Sequence, residues 1–407
     1  MKSTVVACLG AMLVLTSFSP ADEIATGISS TGFDREGLAK ILPAMERHIE
    51  KGNLVGGLGL VARGDEIVYC ETWGRRDREN DLAMTEDTIF RIYSMTKPVT
   101  SVAAMILVEE GKLELDASIG EYLPELAEMT VLVETQRDGE AAQKEVPADR
   151  PITVRDLLRH TSGLTYGFFG NGPVDKQYTK AGVLVTDRTL DEMVTKLAKI
   201  PLKHQPGSRW HYSASTDVLG RVVEVGSGQR LDQFFRERIF EPLGMEDTFF
   251  NVPRKKLPRL AQMYRPQTGG GLKPSHPLES YRFVTPANEF FSGGGGLCST
   301  AADYLKFCQM LLGEGAHKGT RILQAETVRQ MRTNQLAELT QPSLGFQFGL
   351  GFRIDGDGTY SWGGAAGTRF WIDPKNRLIT IYMAQIKPTG RLDFSREMKR
   401  LVYASMQ

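Results

Sequence analysis

Ser94 and Lys97 stand three residues apart in Ser94-Met95-Thr96-Lys97-Pro98. On a helix that spacing places both side chains on one face, with Cβ atoms about 5–6 Å apart. A serine hydroxyl beside an amine is a nucleophile beside a base, which is the chemistry of acyl transfer. Pro98 is tolerated in an unkinked helix only within the first turn, so the helix should begin close to Ser94. Ser94 then sits among unpaired backbone N–H groups at the positive end of the helix dipole. By itself the tetrapeptide says little. In a chain with 49 basic residues it is more often a capping serine and a surface lysine. Its context changes that balance. Met95 to Glu110 is apolar nearly all round, through Val99, Val102, Ala103, Ala104, Met105, Ile106, Leu107 and Val108. Such a helix is buried on every side, and a surface lysine does not usually begin one. An amine set there is poorly solvated, which suits it to accept a proton. No Gly-x-Ser-x-Gly occurs in the chain, which argues against a nucleophile elbow.

The elements around this segment alternate in type. Phe33 to Lys51 has helical periodicity, and Gly111 is a good stop for the helix that follows Ser94. Leu54–Ala62 and Ile67–Trp73 are strand-like, with a hairpin turn at Arg63-Gly64-Asp65-Glu66. The middle of the chain reads as helix and loop, with short helices at Val154–Arg159, Thr189–Ala198, Ser215–Gly226 and Leu231–Ile239. Strand character returns at Phe346–Ile354, Gly358–Trp362, Thr368–Asp373 and Leu378–Ala384, and an amphipathic helix covers Phe394–Ser405. Hairpin connections imply an antiparallel sheet. The expected fold is therefore α+β: a mainly antiparallel sheet flanked by helices, with an inserted, largely helical domain. The expected divisions are a sheet-containing unit of residues 22–112 and 293–407, and a mostly helical unit of 113–292.

Bulk properties narrow the partners. Lys+Arg and Asp+Glu are equal at 49 each, so no electrostatic footprint for nucleic acid exists. A neutral small molecule fits this balance better than a polyanion. Lys2, the apolar run Val5–Phe18 and the small residues Ser19-Pro20-Ala21 read as an export signal over residues 1–21. The run is too short for a comfortable membrane span, so the expected destination is periplasmic or secreted, with no stable span after signal removal. Beyond Cys8, Cys70, Cys298 and Cys308 form no disulfide framework and read best as buried thiols. The six histidines match no metal-ligand spacing, so neither a metal nor a cofactor is expected.

Phe90-Arg91-Ile92-Tyr93-Ser94-Met95-Thr96-Lys97-Pro98 resembles the active-site segment of class C β-lactamases, DD-peptidases and family VIII carboxylesterases. Leu157–Leu164, Tyr212–Gly220, Gly294–Asp303 and Trp362-Gly363-Gly364 with Ala365–Thr368 are similar to further stretches of that superfamily, in the same order. The resemblance runs from about Phe33 to Ala384. It implies a sheet flanked by helices with an all-helical domain. It implies that Ser94 forms an acyl-enzyme while Lys97 and Tyr212 share the general-base work. A phenol ordinarily titrates near pH ~10, so base duty by Tyr212 calls for a neighbouring cation, which Lys97 would supply. The oxyanion hole would be the backbone N–H groups of Ser94 and Ala365, with Gly363 and Gly364 allowing close approach of the substrate. His160 is read as structural, and Trp210 and His211 as pocket lining or bracing.

Two departures bear on the substrate. Ala214 stands where class C β-lactamases carry an asparagine, and Trp362 stands where they carry a lysine. Losing an amide and a cation suits a neutral ester better than an anionic amide, as in family VIII carboxylesterases. Arg369 would return a positive charge near the site and keeps β-lactam hydrolysis open. The expected substrate is a small-molecule ester of short acyl chain, or a β-lactam. The alternatives are a β-lactamase or DD-peptidase proper, an acyltransferase, and a non-catalytic penicillin-binding sensor.

Overall fold

The computed structural model describes residues 32–137, 140–184, 189–276, 288–337, 339, 345–389 and 393–407. The expected export signal and Cys8 lie outside the described residues. Eight strands form one antiparallel sheet. They are β1 (Gly56–Arg63), β2 (Glu66–Asp77), β3 (Leu82–Ala83), β4 (Gln347–Phe348), β5 (Arg353–Ile354), β6 (Tyr360–Gly364), β7 (Thr368–Asp373) and β8 (Leu378–Ala384). Their spatial order is β4-β5-β6-β7-β8-β1-β2-β3. The two ends of the chain meet where β8 pairs with β1, from Gly57 opposite Ala384 to Arg63 opposite Leu378.

The principal helices are α1 (Ile41–Glu50), α2 (Thr96–Glu109), α3 (Val154–Leu158), α4 (Pro173–Ala181), α5 (Ser215–Ser227), α6 (Ala301–Leu312) and α7 (Phe394–Ala404). Alternation along the strands sorts side chains to the two sheet faces. Val61, Trp371 and Tyr382 pack with Met45 of α1 and Met398 and Val402 of α7. Leu60, Phe370, Ile372 and Ile381 point the other way, into a larger core with Val99 and Val102 of α2 and Tyr304 and Phe307 of α6. That core continues without a break into Val194, Leu219 and Val222 of the helical half. Every residue of α2 from Thr96 to Leu107 is buried, as its all-round apolarity requires.

Several expected elements take a different form. The helix expected over Phe33–Lys51 is broken at Lys40 into Arg35–Ala39 and α1. Pro43 lacks an N–H and its ring crowds the carbonyl four residues back, so a continuous helix cannot pass residue 39. The run Phe346–Ile354 is two short strands rather than one, split at Gly351, whose φ is +100°. The middle of the chain also contains strands that its helical reading did not include. Thr130–Arg137 pairs with Glu140–Pro147, and Tyr264–Pro266 pairs with Leu272–Pro274.

Leu60 is 2% exposed at the centre of the larger core. Truncating it removes packing that neighbouring strands cannot collapse to replace. Leu60→Ala should lower the free energy of unfolding by about 2–5 kcal/mol in a denaturant titration.

Candidate active site

The nucleophile segment is pinned from several sides. Ser94 lies in a tight 3₁₀ turn, Tyr93–Met95, immediately before α2. Tyr93 has a φ of +42°, a left-handed conformation that a bulky residue adopts only under constraint. The constraint is visible. The Ile92 N–H donates to Leu297 O at 3.0 Å, and the Tyr304 hydroxyl donates to Met95 O at 2.9 Å. The Thr368 hydroxyl donates to Ile92 O at 3.3 Å, tying the turn to β7. A Cβ on Gly364 would come within 2.2 Å of Ile92 O, so β6 reaches the turn this closely only with glycine there.

Ser94 Oγ lies 2.7 Å from Tyr212 Oη and 3.3 Å from Lys97 Nζ. Lys97 is 1% exposed. Its Nζ is met by Tyr166 Oη at 2.7 Å and by the Gly294 carbonyl at 2.5 Å. It also lies 4.8 Å from the Tyr212 ring centroid and 5.2 Å from that of Tyr166. Asp217, in the first turn of α5, holds the loop that presents Gly294. Its Oδ1 accepts from the Gly294 N–H at 3.1 Å and from the Ser292 hydroxyl. Burial raises the Asp217 carboxyl above its ordinary range, against the opposing pull of Lys97. Burial, and then the neighbouring Tyr212 and Asp217, push the Tyr166 phenol well above its ordinary value. Tyr166 therefore stays protonated at neutral pH, an acceptor for Lys97 through its oxygen and unsuited to act as a base. The arrangement can move the Ser94 proton directly to Tyr212, with Lys97 beside both.

These groups open onto a cleft of about 1050 Å³. Ser94, Tyr212, Trp362, Gly363, Gly364, Ala365 and Arg369 all line it. Trp362 packs 5.5 Å from the Tyr212 ring and 5.3 Å from Phe348. Arg369 pairs with Asp393 at 3.5 Å across the wall on the α7 side. Ala214 is the exception. It is wholly buried ahead of α5, with its N–H bonded to Thr165 O, and it does not line the cleft. The wall on that side is formed instead by Tyr166, Phe168 and Phe169. His160 is buried with its ring 4.9 Å from that of Tyr212, as a brace. Trp210 lines the cleft, whereas His211 bonds to Thr165 beneath it at 3.3 Å.

Tyr166 and Asp217 carried no role in the sequence reading. Asp217 lies inside the Tyr212–Gly220 segment, and Tyr166 lies two residues past the Leu157–Leu164 segment. A tyrosine ending a run of Thr, Ser and Gly was the available signal. Among the described residues no cluster of His, Cys, Asp and Glu is arranged to hold a metal.

Known proteins resemble this chain in sequence and fold. The beta-lactamase family matches residues 42–405, and the chain belongs to it. Protein Rv1367c of Mycobacterium tuberculosis is 39% identical, over 84% of this chain and 89% of its own length. Esterase EstB of Burkholderia gladioli is 31% identical, over 86% of this chain and 91% of its own. Among solved structures, EstCE1, a hydrolase with promiscuous acyltransferase activity, superposes with a TM-score of 0.76 at 28% identity, covering 90% of this chain and 99% of that one. The protein is a serine hydrolase on the β-lactamase fold, among relatives that include esterases.

Two outcomes follow from the site. Tyr166→Phe removes the oxygen 2.7 Å from Lys97 Nζ. It should lower kcat for hydrolysis by about 10–100-fold in steady-state assays, and it should lower the melting temperature as well, because one N–H of the buried amine loses its acceptor. The second concerns acid. Burial depresses His204 to about 4, and it also holds His160 and His211 below their usual value. The unfolded chain therefore binds protons that the native protein refuses once the pH falls below ~6.5. Stability should drop between pH 6.5 and about 4 in denaturant titrations, and His204→Gln should flatten that slope.

Proposed function

We propose that this protein is a carboxylesterase acting on short acyl esters through an acyl-enzyme on Ser94. The observation that carries the reading is the contact of Ser94 Oγ with Tyr212 Oη at 2.7 Å and Lys97 Nζ at 3.3 Å, at the foot of a cleft walled by Trp362. Tyr212 and Lys97 share the proton of the serine hydroxyl as Oγ attacks the ester carbonyl. The backbone N–H groups of Ser94 and Ala365 receive the negative charge that develops on the carbonyl oxygen. The leaving alkoxide takes the proton back through Tyr212 and departs as the alcohol. A water then repeats the attack on the acyl-enzyme and frees the acid.

Ester over β-lactam is supported by the Trp362 ring, which turns an apolar surface to the cleft at the position where β-lactamases of class C bear a cation. A second reading, transfer of the acyl group to an alcohol acceptor, has support in the hydrolase with acyltransferase activity that shares this fold. It differs only in which nucleophile resolves the acyl-enzyme. Arg369 on the cleft wall is the feature that speaks for a β-lactamase or DD-peptidase.

A p-nitrophenyl butyrate assay set against a chromogenic cephalosporin ranks these readings. Ester turnover should exceed cephalosporin turnover, and the reverse order would overturn the esterase reading. Ser94→Ala should reduce ester hydrolysis by roughly 10³-fold or more. Unchanged hydrolysis in that variant would remove Ser94 from the mechanism.

A further inference from the structure

Phe168 and Phe169 are 65% and 64% exposed, more than any other large apolar side chain among the described residues. They stand on the rim of the cleft that holds Ser94. Their rings lie 4.5 Å from each other, and 5.0 and 5.6 Å from the Tyr166 ring. Phe169 reaches to 5.9 Å from the ring of Tyr212. The pair thus continues an aromatic wall from the phenol beside Ser94 out to solvent.

The backbone around them is clamped. Gly167 has a φ of +81°, and a Cβ there would meet the Tyr178 Cβ at 2.8 Å. A Cβ on Gly170 would come within 2.3 Å of Asp175 Oδ2. Asp175, itself fully buried, accepts from the Gly172 N–H at 3.0 Å, the Thr165 hydroxyl at 2.6 Å and Lys203 Nζ at 2.8 Å. Helix α4 therefore fastens the chain on both sides of the dipeptide, and the two phenyl groups are held outward by a fixed frame. Leaving them in water forgoes the free energy that burying two phenyl groups would give. An apolar patch kept exposed at such a cost marks a place that a ligand covers. The cleft, at about 1050 Å³, is also larger than a short aliphatic ester fills.

We propose that Phe168 and Phe169 form a specificity lip that stacks on a ring-bearing apolar half of the substrate. The preferred substrates are then esters that carry an aromatic or polycyclic group as well as the scissile bond. The proposal rests on the ester-hydrolysis reading above and names the substrate class of the same site.

Three esters of comparable reactivity test it: ethyl acetate, 2-(2-naphthyl)ethyl acetate, and ethyl 3-(2-naphthyl)propanoate. The last two place the ring on the alcohol half and the acyl half. One naphthyl ester should exceed ethyl acetate in kcat/KM by about tenfold or more, through a lower KM. In Phe168→Ser/Phe169→Ser, and partly in each single variant, that ratio should fall toward one. Absence of a preference in the unaltered enzyme, or its survival in the double variant, overturns the proposal. So does a preference seen only above the critical micelle concentration of an added detergent, which would make the lip a contact with lipid surfaces. Calorimetric binding of 2-(2-naphthyl)ethanol to the Ser94→Ala protein separates the lip from the chemistry. Binding weakened about tenfold by the two serines supports the lip even if ester turnover fails. Failure of both 2-(2-naphthyl)ethanol and ethyl 3-(2-naphthyl)propanoate to bind overturns the lip even if turnover stands.

Discussion

The site depends on one buried amine. Lys97 is carried into the interior because it belongs to the first turn of a helix that is apolar all round. Removing an amine from water is costly unless its N–H groups meet acceptors. Three oxygens meet it here, from Ser94, Tyr166 and Gly294, together with two aromatic faces. Each acceptor arrives on a different segment of the chain. The burial of α2 thus obliges the nucleophile turn, the loop before α4 and the loop before α6 to converge on one point. Asp217 extends the same logic outward, since it fixes the Gly294 peptide from the far side.

The sheet serves that point by supplying a close edge. β6 approaches the nucleophile turn so tightly that Gly364 has room for no side chain, and the next residue, Ala365, is exposed on the cleft wall. The core shows why the two halves hold register. Residues of the sheet and residues of the helical half belong to one continuous apolar cluster, with α2 running through it. A shift of either half against the other would open voids along α2 and separate Ser94 from Tyr212 at the same time.

Much of this was legible in the sequence, for identifiable reasons. Ser94, Lys97 and Tyr212 stood out because two lie three residues apart and the third opens a recognisable segment. The strands β1, β2, β7 and β8 were legible because they are short runs rich in strand-forming residues joined by short turns. The hairpin of Thr130–Arg137 and Glu140–Pro147 was missed, although Asp138-Gly139 between the two runs is a two-residue turn signal. Its strands are rich in charged and polar residues, so they lack the apolar alternation that reveals a strand. Tyr166 was missed for a different reason. Its contact with Lys97 spans 69 residues of sequence, and the tyrosine that ends the Thr161–Thr165 run does not say what it touches.

The placement of Ala214 alters the argument about substrate. From the sequence, alanine in place of asparagine reads as a cleft with one polar partner fewer. In the fold, residue 214 precedes α5 with no exposed surface, so the absence of an amide there leaves no gap for substrate to fill. The apolar character of the cleft comes from other positions: Trp362 on β6, and Tyr166, Phe168 and Phe169 on the loop before α4. Two of these rings flank Tyr212, whose own ring is 5.5 Å from Trp362 and 5.2 Å from Tyr166. The phenol that touches Ser94 is thereby set among aromatic groups that also face the ligand. Binding an apolar group excludes water from the neighbourhood of Tyr212 and strengthens its contacts with Lys97 and Ser94. In the proposed mechanism, selection of the ligand and support of the proton transfer are therefore carried by the same rings.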